Sequence, residues 1–133
     1  MGLTARAARA AGARIYAAIP DALVARGLVD DCIDVEFRCE GLSDRKAIFV
    51  RECDLFVALP GGVGTLDEVF TVVAAATLGE HRKRVVMLGE GGFWDGMRDV
   101  LAGLERQGLT DAGLADRLAW VSTPDALDAY LPD

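Results

Sequence analysis

Histidine occurs once in this chain, at His81, and cysteine three times, at Cys32, Cys39 and Cys53. The cysteines are odd in number and never in C-x-x-C spacing, so neither a disulfide framework nor a zinc site is expected. Free thiols in a reducing cytoplasm, and a site without metal or cofactor, are the expectation. A catalytic histidine needs a partner that the spacing does not supply, so His81 reads as a surface residue or a local hydrogen-bond partner. Positive charge is also scarce: Lys and Arg number 14 against 21 Asp and Glu, a net charge of −7. That balance argues against general attraction to DNA or RNA, and a phosphate ligand must be held locally. Long apolar runs are missing too, and no stretch of about 18 residues is suited to cross a bilayer. At the N-terminus, Arg6, Arg9 and Arg14 interrupt the apolar core that a secretory signal requires, and a first core helix is the preferred reading over an arginine-bearing targeting segment.

What is present is apolar text, 52% of 133 residues, enough for one core. A single α/β domain over 1–133 is expected. Gly2 to Ala11 reads as an alanine-rich helix ended by Gly12, Arg14 to Ile19 as a strand stopped by Pro20, and Asp21 to Arg26 as a short helix ended by Gly27. Ile33 to Cys39 alternates as a half-buried strand or an extended loop. Ser43 is placed to cap a helix over Asp44 to Glu52. Leu55 to Leu59 is a short apolar run of the kind found in strands covered on both faces. The helix Leu66 to Leu78 carries an apolar stripe at Leu66, Val69, Phe70 and Val73. Arg84 to Leu88 is a further strand, Phe93 to Gln107 a helix, Leu118 to Val121 a last strand, and Thr123-Pro124 opens a final helix. Strands and helices alternate, which predicts a doubly wound parallel sheet with helices on both faces.

Between the strand ending at Leu59 and the helix near Leu66 lies Pro60-Gly61-Gly62-Val63-Gly64-Thr65. In such sheets ligands bind at the carboxyl ends of strands, where helix N-termini point free N–H groups outward. Gly61, Gly62 and Gly64 let backbone amides approach an anion in dihedrals closed to other residues, and the Thr65 hydroxyl adds a donor. The loop lacks the lysine of a P-loop and the G-x-G-x-x-G spacing of a dinucleotide fingerprint, so a phosphomonoester is favoured over a triphosphate. Glu68, one helical turn past Thr65, should face the same mouth, whereas Asp67 fits the ordinary role of complementing the helix dipole. Arg45 and Lys46 open the preceding helix, where basic residues oppose the dipole. A phosphate or ribose partner accounts for them, and a solvated charge pair is the plainer alternative.

The run P-G-G-x-G-T-x-x-E, Pro60 to Glu68, preceded by Arg45-Lys46 at the family's separation, resembles the LONELY GUY (LOG) family of cytokinin riboside 5′-monophosphate phosphoribohydrolases, which older labels describe as lysine decarboxylases. The likeness continues through AATLGEHRKRVVML and covers nearly the whole chain. It implies a Rossmann-like fold, a homodimer, and hydrolysis of the N-glycosidic bond of AMP or N6-substituted AMP to a free base and ribose 5-phosphate. It also implies Arg45 and Glu68 as the catalytic pair, with Lys46, Gly61, Gly62, Gly64 and Thr65 binding the nucleoside 5′-monophosphate. A decarboxylase would need a lysine for pyridoxal phosphate, and neither Lys46 nor Lys83 lies in a recognisable cofactor motif. Family members usually begin with a strand ending in G-S and a later G-G-G-x-x-G-L-M-G turn. Met1-Gly2-Leu3 aligns with the end of that turn, so the family's N-terminal strands are expected to be missing, through a misassigned start, a truncation or degeneracy.

Cleaving an N-glycosidic bond builds positive charge on the ribose, which a carboxylate at Glu68 would stabilise while orienting or deprotonating the attacking water. Arg45 either holds the ribose or phosphate or assists departure of the base. A nucleotide-binding or carrier protein without turnover uses the same loop, and a structural subunit would use only the helices. Trp94 and Trp120 read as core or interface residues rather than base platforms, and Met87 and Met97 as packing residues.

Overall fold

A computed structural model of the chain describes residues 2–27, 29–110 and 113–131, with backbone alone for 115 and 116. Met1, the first residue of the Met1-Gly2-Leu3 match, lies outside them. The elements run α1 (Gly2–Ala10), β1 (Tyr16–Pro20), α2 (Asp21–Ala25), β2 (Val35–Cys39), α3 (Leu42–Glu52), β3 (Phe56–Ala58) and α4 (Val63–Thr77). They continue with β4 (Val85–Leu88), α5 (Asp95–Arg106), α6 (Leu114–Arg117) and β5 (Leu118–Val121), and short 3-10 helices span Glu90–Gly92 and Asp125–Tyr130. Every strand pairing is parallel and helices intervene between strands, which makes the chain α/β and Rossmann-like. The strands pair in two sets, β1-β2 and β3-β4-β5. The chain divides into two compact units to match, Met1–Glu52 and Cys53–Asp133.

In the first unit Ala18 pairs with Phe37 and Pro20 with Cys39. One face of this ribbon packs under α3, where Ala18, Cys39 and Ile48 are buried and Phe37 and Phe49 close the edges. Pro20 is the last residue of β1 and stands directly before α2, its fixed φ of −60° serving both. Ser43 does not cap α3, because the helix already begins at Leu42. The Asp44 carboxylate instead accepts the Glu40 backbone N–H at 3.1 Å, which braces the turn into the helix. Helix α1 buries none of its side chains. It is fastened by charge: Arg6 reaches Asp30 at 3.1 Å, and Arg9 reaches Asp34 at 3.0 Å and the Cys32 carbonyl at 2.7 Å. The thiol and backbone N–H of Cys32, with the Arg6 guanidinium, hold the Asp30 carboxyl down at about 2. Cys32 and Cys39 are free and buried, and Cys53 is free and half-buried.

In the second unit β4 is the middle strand, and Val85, Val86 and Met87 are almost completely buried. Helix α4 brings Val69, Val72, Val73 and Ala76 to the core at spacings of three and four, one face of a helix. Phe70 lies off that stripe and is 42% exposed, contrary to the sequence expectation. Almost every residue from Val69 to Ala76 is small or apolar, so the pattern marks the inner face poorly. Strand β3 is an edge of its sheet and Val57 is exposed, so this apolar run is not covered on both faces as expected. At the end of the chain the Thr123 hydroxyl accepts the Ala126 N–H at 3.4 Å, as an N-cap does, although the helix it opens is 3-10. Among the described residues no helix is long and apolar enough to cross a membrane, and no group of three or more His, Cys, Asp and Glu is placed to hold a metal.

Candidate functional site

Strand β3 ends at Ala58, and Leu59 to Gly62 carry the chain directly into α4. Gly62 occupies the N-cap position with extended backbone and no side-chain cap. Leu66 donates the first ladder bond, to the Gly62 carbonyl at 3.2 Å. The N–H groups of Val63, Gly64 and Thr65 therefore precede the helical ladder, at the end that carries the partial positive charge of a 15-residue helix. Gly61, Gly62 and Gly64 are exposed and Thr65 is half-buried, so this amide-rich turn opens outward. It is the local geometry that binds anions.

The glycines serve this loop in a way the sequence did not suggest. None of Gly61, Gly62 and Gly64 has positive φ, so left-handed dihedrals are not what the loop requires. Space is. A Cβ at Gly61 would collide with Oγ1 of Thr65 and come within 3.0 Å of its Cβ, whereas Cβ atoms at Gly62 and Gly64 would meet nothing within 4 Å. Gly61 is the residue that lets the Thr65 hydroxyl sit where it does, and Gly62 and Gly64 leave the outer side open to a ligand.

Glu68 lies on α4 three residues after Thr65 and is half-buried, while Asp67 is exposed. Arg45 and Lys46 belong to the first unit, on α3, and both are half-buried. They are the fourth and fifth residues of α3 rather than its opening pair. The Arg45 N–H is already bonded to the Gly41 carbonyl at 3.1 Å, so the opposition to the helix dipole is weaker than the sequence implied. The Arg45 guanidinium lies 5.1 Å above the Phe49 ring, within cation–π range. The structure thus gathers Gly61, Gly62, Gly64, Thr65 and Glu68 on one loop and helix of the second unit, and places Arg45 and Lys46 side by side on α3 of the first.

His81 and Lys83 precede β4, at the opposite end of that strand from the edge where the Gly61 loop leaves β3. The His81 Nδ1 accepts the Lys83 backbone N–H at 3.2 Å, which makes it a turn residue. Burial, reinforced by Lys83, pushes the imidazole below its usual value. Trp94 is buried, as expected of a core residue, and its indole N–H donates to the Leu88 carbonyl at 3.1 Å. Trp120 is half-buried and lines a cavity of about 260 Å³ with Arg98, Leu101 and Glu105, which no residue of the glycine loop borders.

A family model described as "Possible lysine decarboxylase" matches residues 1–131. The cytokinin riboside 5′-monophosphate phosphoribohydrolase of Mycobacterium tuberculosis is 41% identical over 133 residues, 99% of this chain and 71% of that protein. The protein of the same name from Mycobacterium marinum is 38% identical with the same coverage. In Arabidopsis thaliana the cytokinin riboside 5′-monophosphate phosphoribohydrolase LOG7 is 32% identical over 139 residues, 100% of this chain and 63% of that protein. The chain belongs to the LOG family.

In this LOG-family chain Lys83 lies at the edge of its sheet opposite the Gly61 loop, and Lys46 belongs to the first unit. A second glycine-rich turn follows a strand here, Gly89-Glu90-Gly91-Gly92 after β4, and the sequence reading passed over it. Its signal was the same as that of the first loop: glycines immediately beyond a buried apolar strand.

Proposed function

We propose that this chain hydrolyses the N-glycosidic bond of AMP or an N6-substituted AMP, releasing the base and ribose 5-phosphate. The observation that carries the proposal is the outward-facing amide turn Gly61–Thr65 with Glu68 on the next turn of the same helix, in a chain whose relatives are named for this reaction. The 5′-phosphate sits on the amides of the turn and on the Thr65 hydroxyl. Binding of the phosphate, remote from the bond that breaks, positions the sugar. As the bond from C1′ to the base breaks, positive charge develops on the ribose ring, and the Glu68 carboxylate stabilises it. Water attacks C1′, Glu68 orients it and takes its proton, and the departing base takes up a proton in turn. From the family resemblance, Arg45 is proposed as the partner of Glu68 in the chemistry, through the ribose or phosphate or through the departing base, and Lys46 as a substrate-binding residue.

The protein is further proposed to act as a cytoplasmic homodimer. In support, Val63, Phe70 and Leu78 of the α4 region are 84%, 42% and 78% exposed, an apolar strip that a second copy would cover.

Incubation of the purified chain with AMP and with isopentenyladenosine monophosphate, followed by chromatography for free base, tests the activity. Base release from either nucleotide is expected, and none from adenosine, which lacks the phosphate. Tight nucleotide binding without any base release would instead make the chain a carrier.

A further inference from the structure

We propose that the turn after β4 forms the base-binding wall of the site, with the exposed ring of Phe93 stacking on the purine. The inference rests on the nucleotide reading above. It starts from the register of the second sheet: β3 and β4 are parallel with Ala58 opposite Met87, so Leu59-Pro60 and Leu88-Gly89 leave the sheet side by side at the same edge. The roots of the two turns are one strand spacing apart, about 4.8 Å. A purine joined through ribose to a phosphate on Gly61–Thr65 spans that distance readily.

The turn after β4 is built to hold an aromatic ring outward. Gly89 donates its N–H to the Val121 carbonyl at 3.0 Å, which ties the turn to the end of β5. Gly91 and Gly92 take φ of 61° and 75°, left-handed values that reverse the chain within a few residues. Trp94 is 7% exposed and anchored to Leu88, and a Cβ at Gly89 would come within 2.6 Å of its Cδ1, so the backbone at Gly89 packs closely against the indole. Phe93 packs edge-on against that indole with ring centroids 4.7 Å apart and an interplanar angle of 88°. Phe93 as a residue is still 51% exposed. A half-exposed aromatic residue packed edge-on against a buried indole is suited to stacking, and base–aromatic stacking tolerates substituents at N6 because it reads only the π-face.

Calorimetric titration in the Glu68→Gln background, with AMP and with ribose 5-phosphate, tests the proposal. Phe93→Ala should weaken AMP binding roughly tenfold, leave ribose 5-phosphate unchanged, and Phe93→Tyr should restore AMP binding. Equal loss for both ligands, no loss for either, or a shift in oligomeric mass without a base-dependent effect would overturn it. If the parent protein fails to bind ribose 5-phosphate, the phosphate-site reading has failed, and that outcome is separate from a failure at Phe93.

Discussion

At the level of single residues, the contact that most constrains the loop is between Gly61 and Thr65. A methyl group at position 61 must push the Thr65 side chain out of its rotamer, moving the hydroxyl away from the mouth of the turn. Gly61→Ala is expected to raise the KM for AMP about tenfold, the scale of one hydrogen bond to a charged group. In a Thr65→Ala background most of that loss should vanish, since the hydroxyl has already gone, and a double-mutant cycle on KM measures this. Additive losses would show that Gly61 acts on the ligand directly. Glu68→Gln keeps size and shape but removes the charge, and kcat is expected to fall by roughly 10² to 10⁴ with binding retained. His81 carries a pH effect of its own. Burial holds its folded value below the ordinary 6.5, so the unfolded chain binds the proton more readily. Stability is then complete above pH 6.5 and declines as the pH falls below it towards the folded value. Thermal melting against pH should show that decline, and His81→Asn should flatten it.

Elements reveal which physical signals were legible. Strand β5 has the bounds read from the sequence, and β4 starts one residue later than read, because short apolar runs flanked by polar or turn residues leave one solution. Helix starts were harder. Helices α3 and α4 begin two and three residues ahead of expectation, since Leu42, Val63 and Gly64 are not good openers and join only because the turns before them are held by backbone bonds from Arg45 and Leu66. The four-residue α6 carries too little periodicity to be visible. The run Pro60 to Glu68 was legible as a strand-to-helix turn because it depends on order along the chain, whereas the contact of Gly61 with Thr65 across that turn was not. Helix α1 illustrates a related limit: it was legible as a helix, but not as one held almost wholly by Arg6 and Arg9. Such exposed pairs are screened by salt. Amide exchange over Gly2–Ala10 should therefore accelerate in molar NaCl while the β4 amides stay protected. Lowering the pH from about 4 towards the Asp30 value of about 2 should release α1 in the same way, because a depressed carboxyl stabilises only while it remains ionised.

For the molecule as a whole, the described residues form two compact units, and the chain spans 71% of its mycobacterial relatives' length and 63% of the plant relative's. The proposed homodimer would cover the exposed apolar side chains of α4. Phe70→Glu is expected to shift sedimentation equilibrium towards monomer without unfolding the chain, as a buried charge at a homodimer contact would. An unchanged mass would remove α4 from any interface. Addition of water across the bond between ribose and base is read most directly from the fate of labelled oxygen. AMP is incubated with the purified protein in ¹⁸O-labelled water, and the products are weighed by mass spectrometry. Adenine and ribose 5-phosphate should appear in equal amounts with the label in the sugar, whereas intact AMP, or label found only in released phosphate, would contradict the assignment.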